Sequence, residues 1–415
     1  MSLAEEFYKE NIQRCLRQTK DLNYKVKIIG WSRLFVVILG VLTDYILYSQ
    51  NKLNLILIST IFFIGIFIVL IFYHNNIIQY REKINTIMKI NEKGIKRLSG
   101  NFTSFEDSGS EYLDYKHPFI DDLDVFGNNS IFQYINDTVT KGGREELVKL
   151  LKNEGNLNKL DIAERQEAVK ELSSKAVWRQ NLVLEGSLKK SKDIDLDNLI
   201  NWSGGTESSS PLRIVIACTF ILVTIFSIYL AMVKVIPQSF LLLNLMVNFI
   251  VVKVLSKSMG TEIKLFESIK NSIYGYSKIL FLIEEENFDS QYLKNLQGKL
   301  KSDKLSCKEE MKAFSNILDW IGNSSYNAYY LLFNILLFSD VFLLRSLEKW
   351  REKNGNKLKG WLEVMHKIDA LVSVCNLPFE NENWTYPVIL DKNEITAVNI
   401  GCLLYTSLSG LARQT

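Results

Sequence analysis

Long stretches without charged residues constrain the fold of this 415-residue chain more than any other feature. Residues 53–73 contain no charged side chain, and this length is close to the ~20 residues that cross the hydrocarbon core of a bilayer. Residues 34–48 form a second, shorter apolar run, which contains Asp44. Asp44 is interpreted as lying near the outer interface, although an acidic residue in a span is also typical of an ion relay. We predict a transmembrane helical hairpin at 34–73.

A second pair of apolar runs lies in the middle of the chain. Residues 214–233 are uncharged, and residues 238–252 follow after a short turn that contains proline. Lys253 at the end of the second run can extend its ammonium group to the interface. We predict a second transmembrane hairpin at 212–256.

The distribution of basic residues predicts the orientation of these hairpins. Lysines and arginines are frequent before residue 34 and after residue 74, whereas the first turn carries only Lys52. The positive-inside rule therefore places the segments outside the hairpins in the cytoplasm, and the chain is expected to be a multi-pass protein of the cytoplasmic membrane. The lipid bilayer is its first expected partner.

Few residues of this chain are suited to metal or disulfide chemistry. The five cysteines are scattered without paired spacing, and the three histidines form no close pair. This pattern does not favour a disulfide framework or a zinc site. The net charge of +3 is too small to indicate nucleic-acid binding by itself.

The remaining segments show mainly helical periodicity. Apolar residues recur at three- and four-residue steps, and only five prolines interrupt the chain. We predict helices at 142–152, 161–172, 261–286, 306–320 and 326–352, and short strands at 386–390 and 394–400. The run at 329–344 is very apolar but contains Asn334 and Asp340, so it is interpreted as a buried core helix and not as a fifth span.

One block of spaced residues resembles a known family. The stretch DLDVFGNNSIFQYINDTVTKGGREELVKLLKN at 122–153, followed by DIAERQEAVKEL at 161–172, is similar to the core (lever) domain of the MutS family of DNA mismatch repair ATPases. The matching positions are Gly127, Ser130, Ile131, Phe132, Ile135 and Asn136, then Thr140, Gly142 or Gly143, and Arg144, then Ile162, Arg165, Ala168 and Val169. Residues 363–389 resemble the helix that leads into the ATPase domain of that family.

The motif residues of this block are expected to have structural roles. Glycines at 127, 142 and 143 permit turns or a close approach of two backbones. Asn136 can bond local backbone, Asp137 or Thr138 can cap a helix, and Arg144 and Arg165 can pair with carboxylates. We therefore predict a structural core motif, with no catalytic, cofactor or metal residues, made of Gly127, Ser130, Phe132, Asn136, Thr140, Gly143, Arg144 and Arg165.

The chain also departs from the family. It contains no Phe-x-Glu triplet of the mismatch-reading domain, and the second hairpin stands where the family has its DNA clamp. It has no G-x-x-x-x-G-K-[ST] phosphate loop. After Gly401 the family pattern ends, so the chain is expected to be truncated there and residues 402–415 are expected to be non-native.

The apolar runs and the resemblance together predict a division into the following segments: a cytoplasmic N-terminal segment (1–33), the first hairpin (34–73), a connecting helix and linker (74–114), the first half of a helical MutS-core-like domain (115–211), the second hairpin (212–256), the second half of that domain (257–380), the first ATPase-domain strands (381–401) and the tail (402–415). The resemblance further implies that the full protein is a homodimeric ATPase, with ATP and Mg bound by a domain beyond this chain. DNA binding is expected to be weak, because the basic residues beside the spans can meet anionic lipid.

Two functions are compatible with these features. In the first, the chain is the membrane-anchored lever of a MutS-like ATPase and couples a nucleotide-driven domain to the membrane. In the second, it is a non-enzymatic, membrane-bound helical scaffold. A phosphate loop encoded further along the gene would distinguish the first from the second.

Overall fold

The fold is built almost entirely from helices. The structure, a computed structural model, describes residues 2–154, 158–188, 196–205, 211–256, 260–302, 305–321, 328–391 and 396–397. The mainly α fold class is confirmed, because helices account for most of the described residues.

The chain begins with two very long antiparallel helices, α1 (Leu3–Ser49) and α2 (Leu53–Leu98). At ~1.5 Å per residue each is roughly 70 Å long, more than twice the ~30 Å hydrocarbon core of a bilayer. Asn51 in the turn between them has a left-handed backbone, with φ of 57°. Both helices continue without a break through residues 33 and 74, the predicted limits of the transmembrane hairpin, so each helix extends well beyond its predicted span.

The two ends of this first hairpin differ in what their side chains contact. Close to the turn, large apolar side chains such as Tyr45, Leu57 and Phe62 are exposed. Far from the turn, α1 and α2 are joined by a ladder of buried apolar residues: Cys15, Leu22, Ile29, Ile77 and Ile84. We call this second part, formed by residues 3–33 and 74–98, the stalk.

The other helices follow in chain order. After two 3₁₀ helices (Asn101–Ser104 and Ser110–Tyr112) come α3 (Ile131–Ile135), α4 (Lys141–Leu151), α5 (Lys159–Ser174), α6 (Ala176–Ser187), α7 (Leu196–Gly204), α8 (Pro211–Met232), α9 (Gln238–Ser256), α10 (Gly260–Glu285), α11 (Gln291–Gly298), α12 (Cys307–Ile321), α13 (Ala328–Leu337), α14 (Ser339–Val374) and α15 (Asn376–Glu380). The helices predicted at 142–152, 161–172, 261–286 and 306–320 correspond to α4, α5, α10 and α12.

Within the described residues, four helices are long and apolar enough to cross a membrane. They are α1 and α2 of the first hairpin and α8 and α9, which pack on each other as a second hairpin. Lys234 in the turn between α8 and α9 has a left-handed backbone, with φ of 61°. Most side chains on α8 and α9 are exposed, including Phe226, Tyr229 and Met246.

Helices from both sides of the second hairpin share one apolar core. Leu172, Leu182 and Leu199 precede the hairpin in sequence, and they pack in the same buried cluster as Ile273 and Met365, which follow it. Helix α14 is buried along most of its length and lies against α4, α5, α7, α10 and α12. We call this assembly the helical core.

The helix predicted at 326–352 is not continuous. Phe338 separates α13 from α14 and has a left-handed backbone, with φ of 50°. The interpretation of 329–344 as one buried core helix is therefore wrong, whereas its interpretation as something other than a fifth span agrees with the 10-residue length of α13. The part before Phe338 belongs to α13, which contacts α8 and α9, and the exposed fractions of Phe333 and Leu337 are 54% and 47%.

The predicted strand at 386–390 is not a strand. This segment lies along α5, where the Nε2 of Gln166 donates a hydrogen bond to the carbonyl oxygen of Pro387 at 2.9 Å. Among the described residues the only strands are Lys301–Ser302 and Leu305–Ser306, which pair antiparallel with Lys301 opposite Ser306. Within the described part of the chain, no strand lies beside 386–390 to act as a ladder partner. The strand predicted at 394–400 lies mostly outside the described residues, and the tail at 402–415 lies wholly outside them.

A glycine in the stalk tests how α1 packs on α2. A Cβ atom at Gly94 would lie 2.4 Å from the ring of Tyr8, which is 3% exposed. Gly94→Ala is therefore expected to lower the thermal unfolding midpoint in detergent, because the buried ring must move.

The matched control is Gly30→Ala, where an added Cβ meets no atom within 4 Å. This variant should keep or raise the midpoint, since alanine favours a helix over glycine by ~1 kcal/mol. Equal effects of the two substitutions would contradict the described packing.

Candidate functional site

The opening of the predicted motif forms a turn and a helix cap. Gly127 has a φ of 100°, which favours glycine, and its backbone N–H donates to the carbonyl oxygen of Ser108 at 2.8 Å. The side chain of Ser130 accepts a hydrogen bond from the backbone N–H of Gln133 at 3.1 Å and caps α3. Phe132 on α3 is fully buried in a second apolar cluster, together with Ile120 and Leu147. These residues fix the backbone that leads to α4.

Arg144 on α4 holds the loop before the motif. Its Nε and Nη2 donate to the two carboxylate oxygens of Asp107 at 2.9 and 2.7 Å, and its Nη1 donates to the Tyr112 hydroxyl at 2.6 Å. The guanidinium also lies over the ring of Phe132, 5.2 Å from its centre. Asn136 joins the same cluster, because its Nδ2 donates to Asp107 at 2.8 Å. The predicted role of Arg144 in pairing with carboxylates is present in this geometry.

The N-terminus of α4 is bound by a buried carboxylate from α14. The carboxylate of Asp369 accepts hydrogen bonds from the backbone N–H groups of Val139 and Thr140 and from the Thr140 hydroxyl, the last at 2.7 Å. The Thr140 hydroxyl in turn caps α4 by accepting from the Gly143 N–H at 2.9 Å. The helix cap is therefore Thr140, and the predicted caps Asp137 and Thr138 are wrong.

Two adjacent glycines allow α4 to approach α14 closely. A Cβ at Gly143 would lie 2.2 Å from the Asp369 carboxylate, and a Cβ at Gly142 would lie 2.2 Å from Nδ1 of His366. No other residue type fits at either position without a shift of the buried groups. The close backbone approach predicted for this pair is present.

Arg165 does not make the carboxylate pair that was predicted for it. Its guanidinium lies over the ring of Tyr292 at 6.0 Å, and its Nε has no hydrogen-bond partner. Arg165 thus contributes a cation–π contact between α5 and the segment that carries Tyr292.

One group of buried and half-buried charges was missed in the sequence. The guanidinium of Arg97, on α2 of the stalk, is 2% exposed, and it pairs with Glu380 at 2.8 Å and with Asp137 at 2.9 Å. The hydroxyl of Tyr8, on α1, donates to the same Glu380 carboxylate at 2.9 Å, and Lys93 pairs with Asp137 at 2.6 Å. We call the set Tyr8, Lys93, Arg97, Asp137 and Glu380 the polar junction.

Neighbouring side chains complete the hydrogen bonding of the polar junction. The Tyr134 hydroxyl donates to Glu380 at 3.0 Å, and the Nδ2 of Asn376 donates to Asp137 at 2.7 Å. Burial alone would raise the pKa of Asp137, but the charges of Arg97 and Lys93 outweigh it and hold that pKa far below its usual range. Both carboxylates of the polar junction therefore have charged or hydrogen-bonded partners.

The polar junction joins segments that are far apart in sequence. It brings together both stalk helices, the connection between α3 and α4, and α15. No short-range pattern marks Arg97 or Glu380 as partners, since 283 positions separate them. The one sequence signal for the polar junction is Asp137, which lies within the motif stretch at 122–153.

The described part of the chain contains no cluster of metal ligands, and two of its cysteines are deeply buried. No group of three histidine, cysteine or acidic residues there could hold a metal ion. Cys307 and Cys375 are buried, and burial raises the pKa of the Cys375 thiol to about 12, so this thiol is protonated at neutral pH. The polar junction and the Asp369–Thr140 contact fix the positions of helices relative to one another.

Comparison of the chain with family models, with curated proteins and with solved structures gives no match.

The packing of His366 against Gly142 predicts a pH dependence. Burial lowers the pKa of His366 from about 6.5 to about 4. Between these values the unfolded chain binds a proton that the folded chain does not, so the stability is complete above about pH 6.5 and declines as the pH falls toward 4. His366→Gln removes this contribution. The fall in the urea midpoint from pH 7 to pH 5 should be smaller in His366→Gln than in the parent, and an equal fall would contradict the buried, neutral imidazole.

The polar junction predicts a large effect of Arg97→Met. Removing one member of a buried ion pair costs about 3–5 kcal/mol, because the partner charges remain buried. The control Arg81→Met removes a half-buried arginine of the same helix whose hydrogen bond to the Asn23 side chain, at 3.1 Å, is exposed, and it should change stability by less than ~0.5 kcal/mol. Both can be measured by denaturant unfolding in detergent, and similar losses would contradict a stabilising junction.

Proposed function

We propose that this chain is the membrane-anchored lever of a MutS-like ATPase. In this proposal α15 leads into a nucleotide-binding domain that binds ATP and Mg, and the helical core transmits the motion of that domain to the membrane hairpins. The motif at 122–153 and the segment at 363–389, which resemble the family, supply the core of the lever. The full protein would act as a homodimer.

The observation that carries this proposal is the attachment of α15 to the stalk. Glu380, the last residue of α15, binds Tyr8 of α1 and Arg97 of α2 at the same carboxylate oxygen. A displacement of α15 would therefore pull directly on both helices of the first hairpin. Charged hydrogen bonds in a buried site are directional, which suits them to the transmission of such a movement.

The second part of the proposal concerns the membrane. The exposed apolar side chains near the turn of the first hairpin and on α8 and α9 form surfaces that suit lipid and not water. The basic residues of the stalk favour the cytoplasmic side for the helical core. The chain is then a four-span protein of the cytoplasmic membrane whose soluble helices face the cytoplasm.

A non-enzymatic membrane scaffold is the second candidate. It is favoured by the hydrogen bonds of four motif residues, all of which join parts of the fold to one another: Ser130, Asn136, Thr140 and Arg144. Such residues stabilise a helical assembly whether or not a motor domain drives it.

Reading the coding sequence beyond residue 401 in independent clones decides between the two. The lever proposal expects a strand followed by a G-x-x-x-x-G-K-[ST] phosphate loop in frame. A stop codon without such a loop in every clone would reject the lever and leave the scaffold.

The orientation is tested by cysteine labelling with a membrane-impermeant reagent in intact cells, after replacement of the native cysteines. Gln50→Cys and Gln238→Cys lie at the two hairpin turns and should be labelled from outside. Ser174→Cys and Lys294→Cys, exposed on the helical core, should be labelled only after lysis. Labelling of Lys294→Cys in intact cells would reject an even number of spans between the two core blocks.

A further inference from the structure

Helix α13 is apolar and yet lies outside the main core. Its sequence is AYYLLFNILL, and none of the residues from Phe333 to Leu337 belongs to the buried cluster that fills the helical core. The exposed fractions of Phe333 and Leu337 are 54% and 47%, and Trp320 at the end of α12 is 70% exposed. An apolar surface of this kind needs an environment other than water.

The contacts of α13 place it against the second hairpin. The Nδ2 of Asn248, on α9, donates to the carbonyl oxygen of Ile335 at 3.1 Å. At the end of α13, the ring of Phe338 is 6.1 Å from that of Phe220 on α8, and Phe338 packs in one cluster with Val252 of α9.

These contacts give the depth of α13 along the hairpin. Asn248 lies ten residues beyond Gln238, the first residue after the turn, which is about 15 Å at 1.5 Å per residue. This distance is about half of the ~30 Å hydrocarbon core. Val252, which packs with Phe338, lies about one helical turn further from the hairpin turn than Asn248, which bonds Ile335. Along α13, Ile335 is therefore deeper in the bilayer than Phe338.

The polar groups at this bend are satisfied within the protein. The Nδ2 of Asn334 donates to the Asp340 carboxylate, and the backbone N–H of Asp340 donates to the Asn334 Oδ1 at 3.3 Å. The N–H of Phe338 donates to the Asn334 carbonyl oxygen at 2.9 Å. Non-helical backbone at membrane depth is tolerated when its polar groups are bonded in this way.

An open apolar groove continues from this bend. It has a volume of about 400 Å³ and is lined by residues of α12, α13 and α14, among them Ile317, Trp320, Leu337 and Phe342. Tryptophan is enriched at the interface between membrane and water, where an apolar ring and a polar N–H both find partners. The groove is therefore placed where lipid acyl chains can fill it.

We propose that α13 enters the inner leaflet of the bilayer as a re-entrant helix, with lipid acyl chains covering Phe333, Leu337 and the groove beside Trp320. This inference rests on the proposed membrane location of the second hairpin, against which α13 packs. The helical core would then be held against the membrane surface by a third element, distinct from the two hairpins.

Spin-label accessibility in liposomes tests this proposal on the full chain with its native cysteines replaced. Labels at Phe333→Cys and Leu337→Cys are compared with a label at Leu243→Cys, exposed on α9, and one at Lys312→Cys, exposed on α12. Apolar oxygen concentrates in the bilayer, and a water-soluble nickel complex is excluded from it. The ratio of oxygen to nickel collisions at 333 and 337 should match that at 243 and exceed that at 312.

Three other outcomes of the spin-label experiment would each reject a specific part of the proposal. If 243 is oxygen-rich while 333 and 337 both resemble 312, the hairpin is in the membrane and the re-entrant helix is rejected. If 333 and 337 are shielded from both reagents, a protein surface covers α13, and lipid contact is rejected. If 243 itself is open to nickel, the membrane location of the hairpin fails. Two labelled positions keep the test valid when one variant does not fold.

Discussion

The burial of one arginine organises this structure. Arg97 is almost without contact to solvent, and its charge is tolerated only because Glu380 and Asp137 lie within 3 Å of it. A buried charge without such partners costs several kcal/mol, so folding has to bring α2, the α3–α4 connection and α15 to one point. The Tyr8 hydroxyl adds α1 to the same point. Apolar packing is non-directional and would permit these segments to slide, whereas the polar junction fixes one relative position.

The local parts of the fold could be predicted because periodicity acts within a few residues. Helices α4 and α5 follow from apolar positions spaced three and four apart, whereas their caps, Thr140 and Asn158, were not predicted. The close approach expected at Gly142 and Gly143 is also a local signal. Two adjacent glycines weaken a helix, so their presence indicates that a neighbouring group needs the space of a side chain.

Features that depend on distant partners could not be predicted in this way. The partner of Thr140 is Asp369, 229 positions later, and nothing near Asp369 marks it as the group that binds the start of α4. The bend at Phe338 lacks the glycine or proline that usually marks one, because the Asn334 and Asp340 side chains stabilise it. In the sequence, Asn334 and Asp340 indicated a buried core helix, whereas their side chains stabilise the bend between α13 and α14.

The two hairpins meet the helical core through contacts of different physical character. The first is attached through the stalk by buried ion pairs, which have a preferred geometry and weaken steeply when the atoms separate. The second is attached mainly by apolar contacts of Phe338 and Val341 with α8 and α9, which tolerate small sliding movements because burial is kept during them. In the proposed lever, a movement of α15 would thus be transmitted to the first hairpin, while the second hairpin would act as the pivot on which the core turns.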